Sequence, residues 1–324
     1  MIMTGNPRPW LRGMIAVLTF LALAGTSWAQ LSEAERWVAR VGNAYEVEPN
    51  VTYAVADNYE AKLDVYYPPG AKAAVPVVMA IHGGGWIEGT KEASILNVLP
   101  YLQMGFAVVN VEYRLAKVSL APAAVEDCLC ALHWIGRNAQ KYHFDLSQVI
   151  VTGESAGGHL ALTTAMIPSS AGFENECASD DDVDSKRHKG QWTDPRPKVA
   201  AVINWYGITD VADMLQGPDI RSYAVTWLGS VPNREDLARR ISPLTYVRGG
   251  LPPVLTIHRD ADRVVPFSHA IRLRDALNKA GVRNRLLSIP GGDHGDFTAE
   301  QQIVAYEAIH QFLAELGITA VTKQ

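Results

Sequence analysis

The chain has 324 residues, 48% of them hydrophobic and 19% charged, with a formal net charge of −5. This is an ordinary globular balance, sufficient to bury a large core. No long basic run is present, which argues against a nucleic-acid partner.

The N-terminus has the pattern of an export signal. Arg8 and Arg12 precede an apolar run from Met14 to Ala24, and Ser27-Trp28-Ala29 supplies a small-x-small cleavage site. A membrane-spanning helix needs about 20 apolar residues, more than this run offers. The expectation is therefore a signal peptide over residues 1–29 rather than a stable membrane anchor. A single α/β domain over residues 30–324 would then act in the periplasm or outside the cell. Arg8 and Arg12 are not adjacent, so a twin-arginine route is not indicated.

Residues 32–45 read as a short helix, with Ser32 and Glu35 spaced as a capping box. It is a packing helix or, alternatively, an access flap. Val51–Val55 and Leu63–Tyr67 read as strands, the second stopped by Pro68-Pro69-Gly70. The continuous apolar run Pro76–Ile81 fits a strand buried on both faces. A helix over 91–103, a strand over Phe106–Val111, a helix over 122–141 and a strand over Gln148–Thr152 follow. The spacing then predicts a helix over 155–167, strands at Val199–Trp205 and Pro253–His258, a helix over 267–280 and a last strand at Arg285–Ile289. Ile303, Tyr306, Ile309, Phe312 and Leu316 form an apolar stripe on a closing helix. Such alternation predicts a mostly parallel central sheet with helices on both faces. Two stretches interrupt it. Residues 168–198 form a polar surface excursion, and residues 207–250 read as a small lid-like insertion over the carboxyl edge of the sheet.

Cys128, Cys130 and Cys177 are the three cysteines. Cys128 and Cys130 lie two apart on a predicted helix and point in different directions. A bridge from one of them to Cys177 is expected, with three unpaired thiols as the alternative. No spacing indicates a zinc site, and no metal or organic cofactor is expected.

Gly153-Glu154-Ser155-Ala156-Gly157-Gly158 follows a strand and opens a helix. This is G-x-S-x-G in the context where it holds a serine nucleophile on a tight turn. The glycines relieve crowding, and the helix N-terminus favours an anion beside the serine. His82-Gly83-Gly84-Gly85-Trp86 follows another buried strand. Its glycine N–H groups can face a developing oxyanion, with the Ala156 N–H as the other arm. His82 is expected to brace that loop. A serine hydroxyl needs a base, and the base needs an orienting acid. His294, in the loop Pro290–Gly295 after the last strand, is the expected base. His159, His258, His269 and His310 sit in structural settings. Asp260 and Asp262 both follow the penultimate strand; Asp262 is the expected acid, and Asp260 would brace the loop. The chain order Ser155, Asp262, His294 is that of an α/β-hydrolase. Trp86, Trp205, Tyr206 and Phe297 are expected to wall a substrate pocket, with Glu154 a further substrate contact.

The motifs HGGGW (82–86), YRL (113–115), PAAVED (122–127), GESAGG (153–158) and HRDADRVVP (258–266) resemble the α/β-hydrolase superfamily. The resemblance is greatest to its hormone-sensitive-lipase and feruloyl-esterase-like (BD-FAE-like) branch, and it covers nearly all of residues 50–316. It implies an α/β-hydrolase fold and a serine carboxylesterase acting on short-chain, acetyl or feruloyl-type esters, free or linked to polysaccharide. It also implies an oxyanion hole from Gly84, Gly85 and Ala156, with Gly83 a possible substitute for one glycine. The family acid maps onto Asp262. Arg259 stands where the family usually has glycine, and Lys117-Val118 where the lipases have Pro-Glu, which argues against a close lipase relative. Arg114 and Asp127 are expected to form a structural ion pair. Two rival functions share these features. A prolyl-oligopeptidase-like serine peptidase usually adds a propeller, for which the residues before 75 are too few. A catalytically silent binding protein would be expected to lack a triad member.

Overall fold

The computed structural model describes residues 31–56, 58–175, 177 and 196–319. The segment expected to be a signal peptide and most of the polar excursion lie outside the described residues. The chain falls into two compact units, one up to Asn43 and one from Ala44 onward. In the first, helix α1 (Glu33–Ala44) is opened by the expected box: the Ser32 N–H donates to Glu35 Oε2 at 2.7 Å, and the Glu35 N–H donates to Ser32 Oγ at 3.2 Å.

The second unit is built on an eight-stranded sheet among the described residues: β1 (Glu46–Ala56), β2 (Tyr59–Tyr67), β3 (Val75–Ile81), β4 (Ala107–Val111), β5 (Phe144–Glu154), β6 (Val199–Trp205), β7 (Val254–Arg259) and β8 (Asn284–Ile289). The spatial order is β1-β2-β4-β3-β5-β6-β7-β8. β2 pairs antiparallel with both β1 and β4, and every later pairing is parallel. All residues of β4 and β7 are buried, which is what two covered faces require of a central strand. The first two strands are longer than their apolar runs indicated: they pair with each other antiparallel, with mixed exposure, at one edge of the sheet.

Helices join the strands: α2 (Leu99–Gln103), α3 (Ala123–Tyr142), α4 (Ala156–Met166), α5 (Ser222–Leu228), α6 (Arg234–Arg240), α7 (Ser268–Lys279) and α8 (Ala299–Glu315). The helix expected over 91–103 is shorter. Residues 91–94 are turns and 95–98 a 3-10 helix, and Pro100 sits in the first turn of α2, where its missing N–H costs nothing. The 207–250 insertion supplies α5, α6 and three short 3-10 turns. At α8, the Gln301 N–H donates to Thr298 Oγ1 at 3.3 Å and the Thr298 N–H to Gln301 Oε1 at 3.1 Å. A cap of this kind contributes about 1 kcal/mol, and it fixes where the loop after β8 ends.

Two further sequence expectations concern the core. Cys130 on α3 is bonded to Cys177, with Cα atoms 4.6 Å apart, and Cys128 is a buried thiol. Arg114 and Asp127 form a buried pair: the Arg114 N–H donates to Asp127 Oδ2 at 2.7 Å and its Nε to Oδ1 at 3.0 Å. They tie the segment after β4 to the start of α3. No helix among the described residues is long and apolar enough to cross a membrane.

Register aligns the carboxyl ends of the strands. Ile81 is level with Gly153, Glu154 with Trp205, and Arg259 with Ile289. The loops after β3, β5, β6, β7 and β8 therefore open on one edge, where ligands gather in open α/β sheets.

Candidate active site

Ser155 sits between β5 and α4 with φ 55° and ψ −117°, a conformation non-glycine residues rarely adopt. The turn is tight enough that a side chain at Gly153 would strike the Gly157 carbonyl, and one at Gly157 would strike the carbonyls of Ile81 and His82. The two glycines of the motif thus let the elbow pass close to the neighbouring β3 end. The Ser155 N–H is held by the Trp205 carbonyl at 2.9 Å.

His294 Nε2 is 2.8 Å from Ser155 Oγ, and His294 Nδ1 is 2.7 Å from Asp262 Oδ2. The Asp262 side chain is 1% exposed and that of His294 19%. The carboxylate is therefore shielded while the imidazole still faces solvent. Asp262 Oδ1 accepts from the Val264 and Val265 N–H groups at 2.8 and 2.9 Å. Burial alone would raise the Asp262 pKa. The hydrogen bonds from His258 and His294, the His294 charge and the Val265 N–H outweigh it and hold the carboxyl well below the usual range.

Asp260 takes the bracing role: its Oδ1 accepts from the Gly291 N–H at 2.7 Å, and Arg259 Nε donates to the Gly291 carbonyl at 2.7 Å. Arg263 pairs with Asp293, its N–H at 3.0 Å and its Nε at 2.9 Å. The loop after β7 and the loop after β8 are thereby laced together just ahead of His294. Arg259, the position where the family usually has glycine, is part of that lacing.

Gly84 and Gly85 have φ of 110° and 59°. The loop closes on itself through the Gly84 carbonyl, which accepts from the Ile87 and Glu88 N–H groups at 3.1 and 3.0 Å. The Gly84, Gly85 and Ala156 N–H groups donate to no other described residue. They remain available to an anion beside Ser155. His82 braces the loop as expected: its Nδ1 is 2.7 Å from the Gly83 carbonyl and its ring stacks on Tyr113 with centroids 4.3 Å apart. Burial lowers its pKa to about 4, so it stays a neutral brace.

A cavity of about 420 Å³ opens over these groups, lined by Gly83–Gly85, Ile87, Glu88, Glu154, Ser155, Tyr206, Ser222, Tyr223, Val264 and His294. Of the residues expected to wall it, Tyr206 and Glu154 do so. Glu154 accepts from Asn97 Nδ2 at 2.8 Å. Burial raises its pKa, against the opposing pull of the Tyr206 hydroxyl and His294. Trp86 does not reach the cavity. It is fully buried, stacked on Trp227 with centroids 4.1 Å apart, because the positive φ at the end of the glycine run turns its ring under the insertion. Trp205 faces a separate pocket of about 30 Å³ with Glu154, Asn97 and Tyr306. Phe297 stacks on Tyr206 with centroids 5.6 Å apart and supports the wall from behind. Sequence reasoning missed Ile87 and Glu88, although they directly follow the glycine motif. It also missed Ser222 and Tyr223 on α5, which no motif marks. Among the described residues no group of three or more histidine, cysteine or acidic side chains could hold a metal ion.

Fold and site together define an α/β-hydrolase: the strand order, the strained serine elbow, and the imidazole and carboxylate on the last two strand ends. The BD-FAE family model matches residues 63–277. The chain belongs to that family. Among solved structures it is similar to a truncated carbohydrate esterase from gut microbiota, with 30% identity and a TM-score of 0.66 over 85% of this chain and 97% of that one. It is also similar to the propionate-bound esterase 2 of Thermogutta terrifontis, with 25% identity and a TM-score of 0.68 over 87% and 97% of the two chains. Among curated proteins, esterase LipC of Mycobacterium tuberculosis is 27% identical over 68% of this chain and 53% of its own length. The chain also matches a non-reducing polyketide synthase, ascC of Acremonium egyptiacum, at 28% identity, spanning 75% of this chain but only 14% of the synthase.

Proposed function

We propose that this protein is a serine carboxylesterase that cleaves short-acyl esters of sugars or related alcohols through an acyl-enzyme. The observation that carries the reading is the hydrogen-bonded line from Ser155 Oγ to His294 Nε2 (2.8 Å) and from His294 Nδ1 to Asp262 Oδ2 (2.7 Å), beside the open cavity. Ser155 Oγ attacks the ester carbonyl carbon while its proton passes to His294 Nε2. Asp262 keeps the other ring proton on Nδ1 and stabilises the imidazolium. The Gly84, Gly85 and Ala156 N–H groups receive the tetrahedral oxyanion. The alcohol leaves with the proton from His294. A water, deprotonated by the same nitrogen, then attacks the acyl-serine carbonyl; the Oγ–C bond breaks, Ser155 Oγ takes the proton back from His294, and the acid is released.

The carbohydrate esterase and the propionate-bound esterase among the similar structures support a small acyl group and a sugar alcohol. The Cys130–Cys177 disulfide supports the reading of an exported enzyme acting in an oxidising, extracytoplasmic setting. The test is hydrolysis of aryl acetates and acetylated xylan, with fluorophosphonate labelling read by mass. Wild type should turn over esters and label at Ser155, and Ser155→Ala should fold and do neither. Wild-type-like turnover in the alanine variant would overturn the mechanism.

A further inference from the structure

A second imidazole touches the Asp262 carboxylate. His258, on β7, is fully buried. Its Nε2 is 3.0 Å from the Val265 carbonyl and 3.3 Å from Asp262 Oδ2, the same oxygen that His294 Nδ1 approaches at 2.7 Å. A carbonyl oxygen can only accept, so the Val265 contact requires the His258 proton on Nε2. That proton lies between two acceptors. The other ring nitrogen, Nδ1, has no hydrogen-bond partner, and the ring packs edge-on against Phe267 with centroids 5.6 Å apart. A charged ring here would bury an unpaired N–H, so the neutral Nε2–H tautomer is the one this setting holds.

Each Asp262 oxygen thus has its own fixed partners. Oδ1 is gripped by the Val264 and Val265 N–H groups, and Oδ2 faces both imidazoles. Val265 serves the arrangement twice, its N–H on Oδ1 and its carbonyl on His258. We infer that His258 is a positioning residue, whose Nε2–H, shared between the Val265 carbonyl and Asp262, sets the rotation of the carboxylate that orients His294. The inference rests on the esterase reading above. Metal-bound and catalytic groups commonly depend on such outer partners, whose loss costs about 10–100-fold.

The effect has a signature beyond packing. An N–H on Oδ2 withdraws electron density from the carboxylate and weakens its stabilisation of the His294 imidazolium. Removing that donor should let the carboxylate stabilise the charged ring more strongly and make His294 the stronger base. The other groups facing His258 are Tyr206 beyond β6, with ring centroids 6.4 Å away, and His269 on α7; Arg221, before α5, holds the Val264 carbonyl at 2.9 Å. Burial lowers His269 to about 3 and pushes Tyr206 far above its usual range. Neither titrates near neutrality.

The test compares wild type with His258→Phe and His258→Gln on an aryl acetate, the glutamine keeping a donor at the Nε2 position. In His258→Phe, kcat should fall about 10–100-fold with KM little changed, and the acid limb of kcat/KM should move up by on the order of half a pH unit. His258→Gln should recover most of kcat and the wild-type limb. A phenylalanine variant with wild-type kcat and pH profile, or a glutamine variant no better than it, would overturn the inference. A measurement on the wild type guards against a variant that does not fold. In 15N-histidine NMR under the assay conditions the His258 proton should sit on Nε2, with Nδ1 bare; a proton on Nδ1 overturns the inference. If the wild type turns over no ester and Ser155 takes no label, the esterase reading falls and this one with it. Turnover in the wild type with an indifferent His258→Phe removes this inference alone.

Discussion

His294 Nε2 stands 2.8 Å from Ser155 Oγ, although 139 residues separate them along the chain. The pair acts as one unit in the proposed mechanism, so its members should not contribute independently. Ser155→Ala and His294→Ala should each lower kcat by about 10⁴-fold or more, and the double variant should be little worse than either single one. Steady-state kinetics on one ester checks this. Additive losses would indicate that the two side chains act separately.

Asp262 and Asp260 are neighbours in sequence with different tasks. Asp262→Asn places an amide against His294 Nδ1 and disturbs the tautomer, with an expected loss of about 10⁴-fold in kcat. Asp260→Asn keeps an oxygen for the Gly291 N–H and should cost less than about tenfold. Equal losses in the two variants, each shown to be folded by circular dichroism, would contradict the assignment of the acid.

Gly85 has φ 59°, and a Cβ there would lie 2.9 Å from the Tyr223 Cβ. Gly85→Ala should therefore push the glycine loop or α5 out of place and tilt an oxyanion donor. The expected loss is on the order of 10²-fold in kcat with a modest fall in melting temperature. Unchanged kcat would exclude this N–H as a donor.

Stability should weaken in mild acid. Burial lowers the pKa of His82 and His159 to about 4 and of His269 to about 3. An unfolded imidazole titrates near about 6.5, so below that pH the unfolded chain binds more protons than the folded one. Stabilisation is complete above about pH 6.5 and is lost progressively as pH falls toward about 4. Calorimetry should show the melting temperature dropping between about pH 7 and 5; a flat profile over that range would refute the assignment of these rings as buried and neutral.

The Cys130–Cys177 bond closes a separation of 47 residues. Loop closure of that size corresponds to about 4 kcal/mol at most, and engineered cases often give less. Cys130→Ser should lower the denaturation midpoint clearly while leaving kcat of the folded enzyme within about twofold, because the bridge lies on α3 rather than at the strand edge. A variant that loses activity but not stability would reverse this reading.

Much of the layout was legible because its signals are local. The apolar run at Pro76–Ile81 reads as a buried strand, and the sharp strand-to-helix turn at 153–158 is written in its glycines. The chain order of serine, aspartate and histidine sets them at the ends of β5, β7 and β8 once the sheet is parallel. What was not legible depended on packing between distant segments. Trp86 adjoins the glycine motif, yet the backbone twist at that residue carries its ring to Trp227, 141 positions later in the numbering (227 − 86). Tyr223 lines the cavity from an insertion in which no motif marks it. His258 read as a strand-end histidine, since its contact with Asp262 depends on how the following turn folds back through Val265.

The lacing of Asp260 and Arg259 to Gly291, and of Arg263 to Asp293, makes the acid-bearing and base-bearing segments a single cassette. Neither can be grafted, shortened or allowed to drift in evolution by itself. A chimaera importing only the stretch around His294 from a relative would arrive without its fasteners, whereas one importing residues 259–263 and 290–297 together would keep its alignment to the serine.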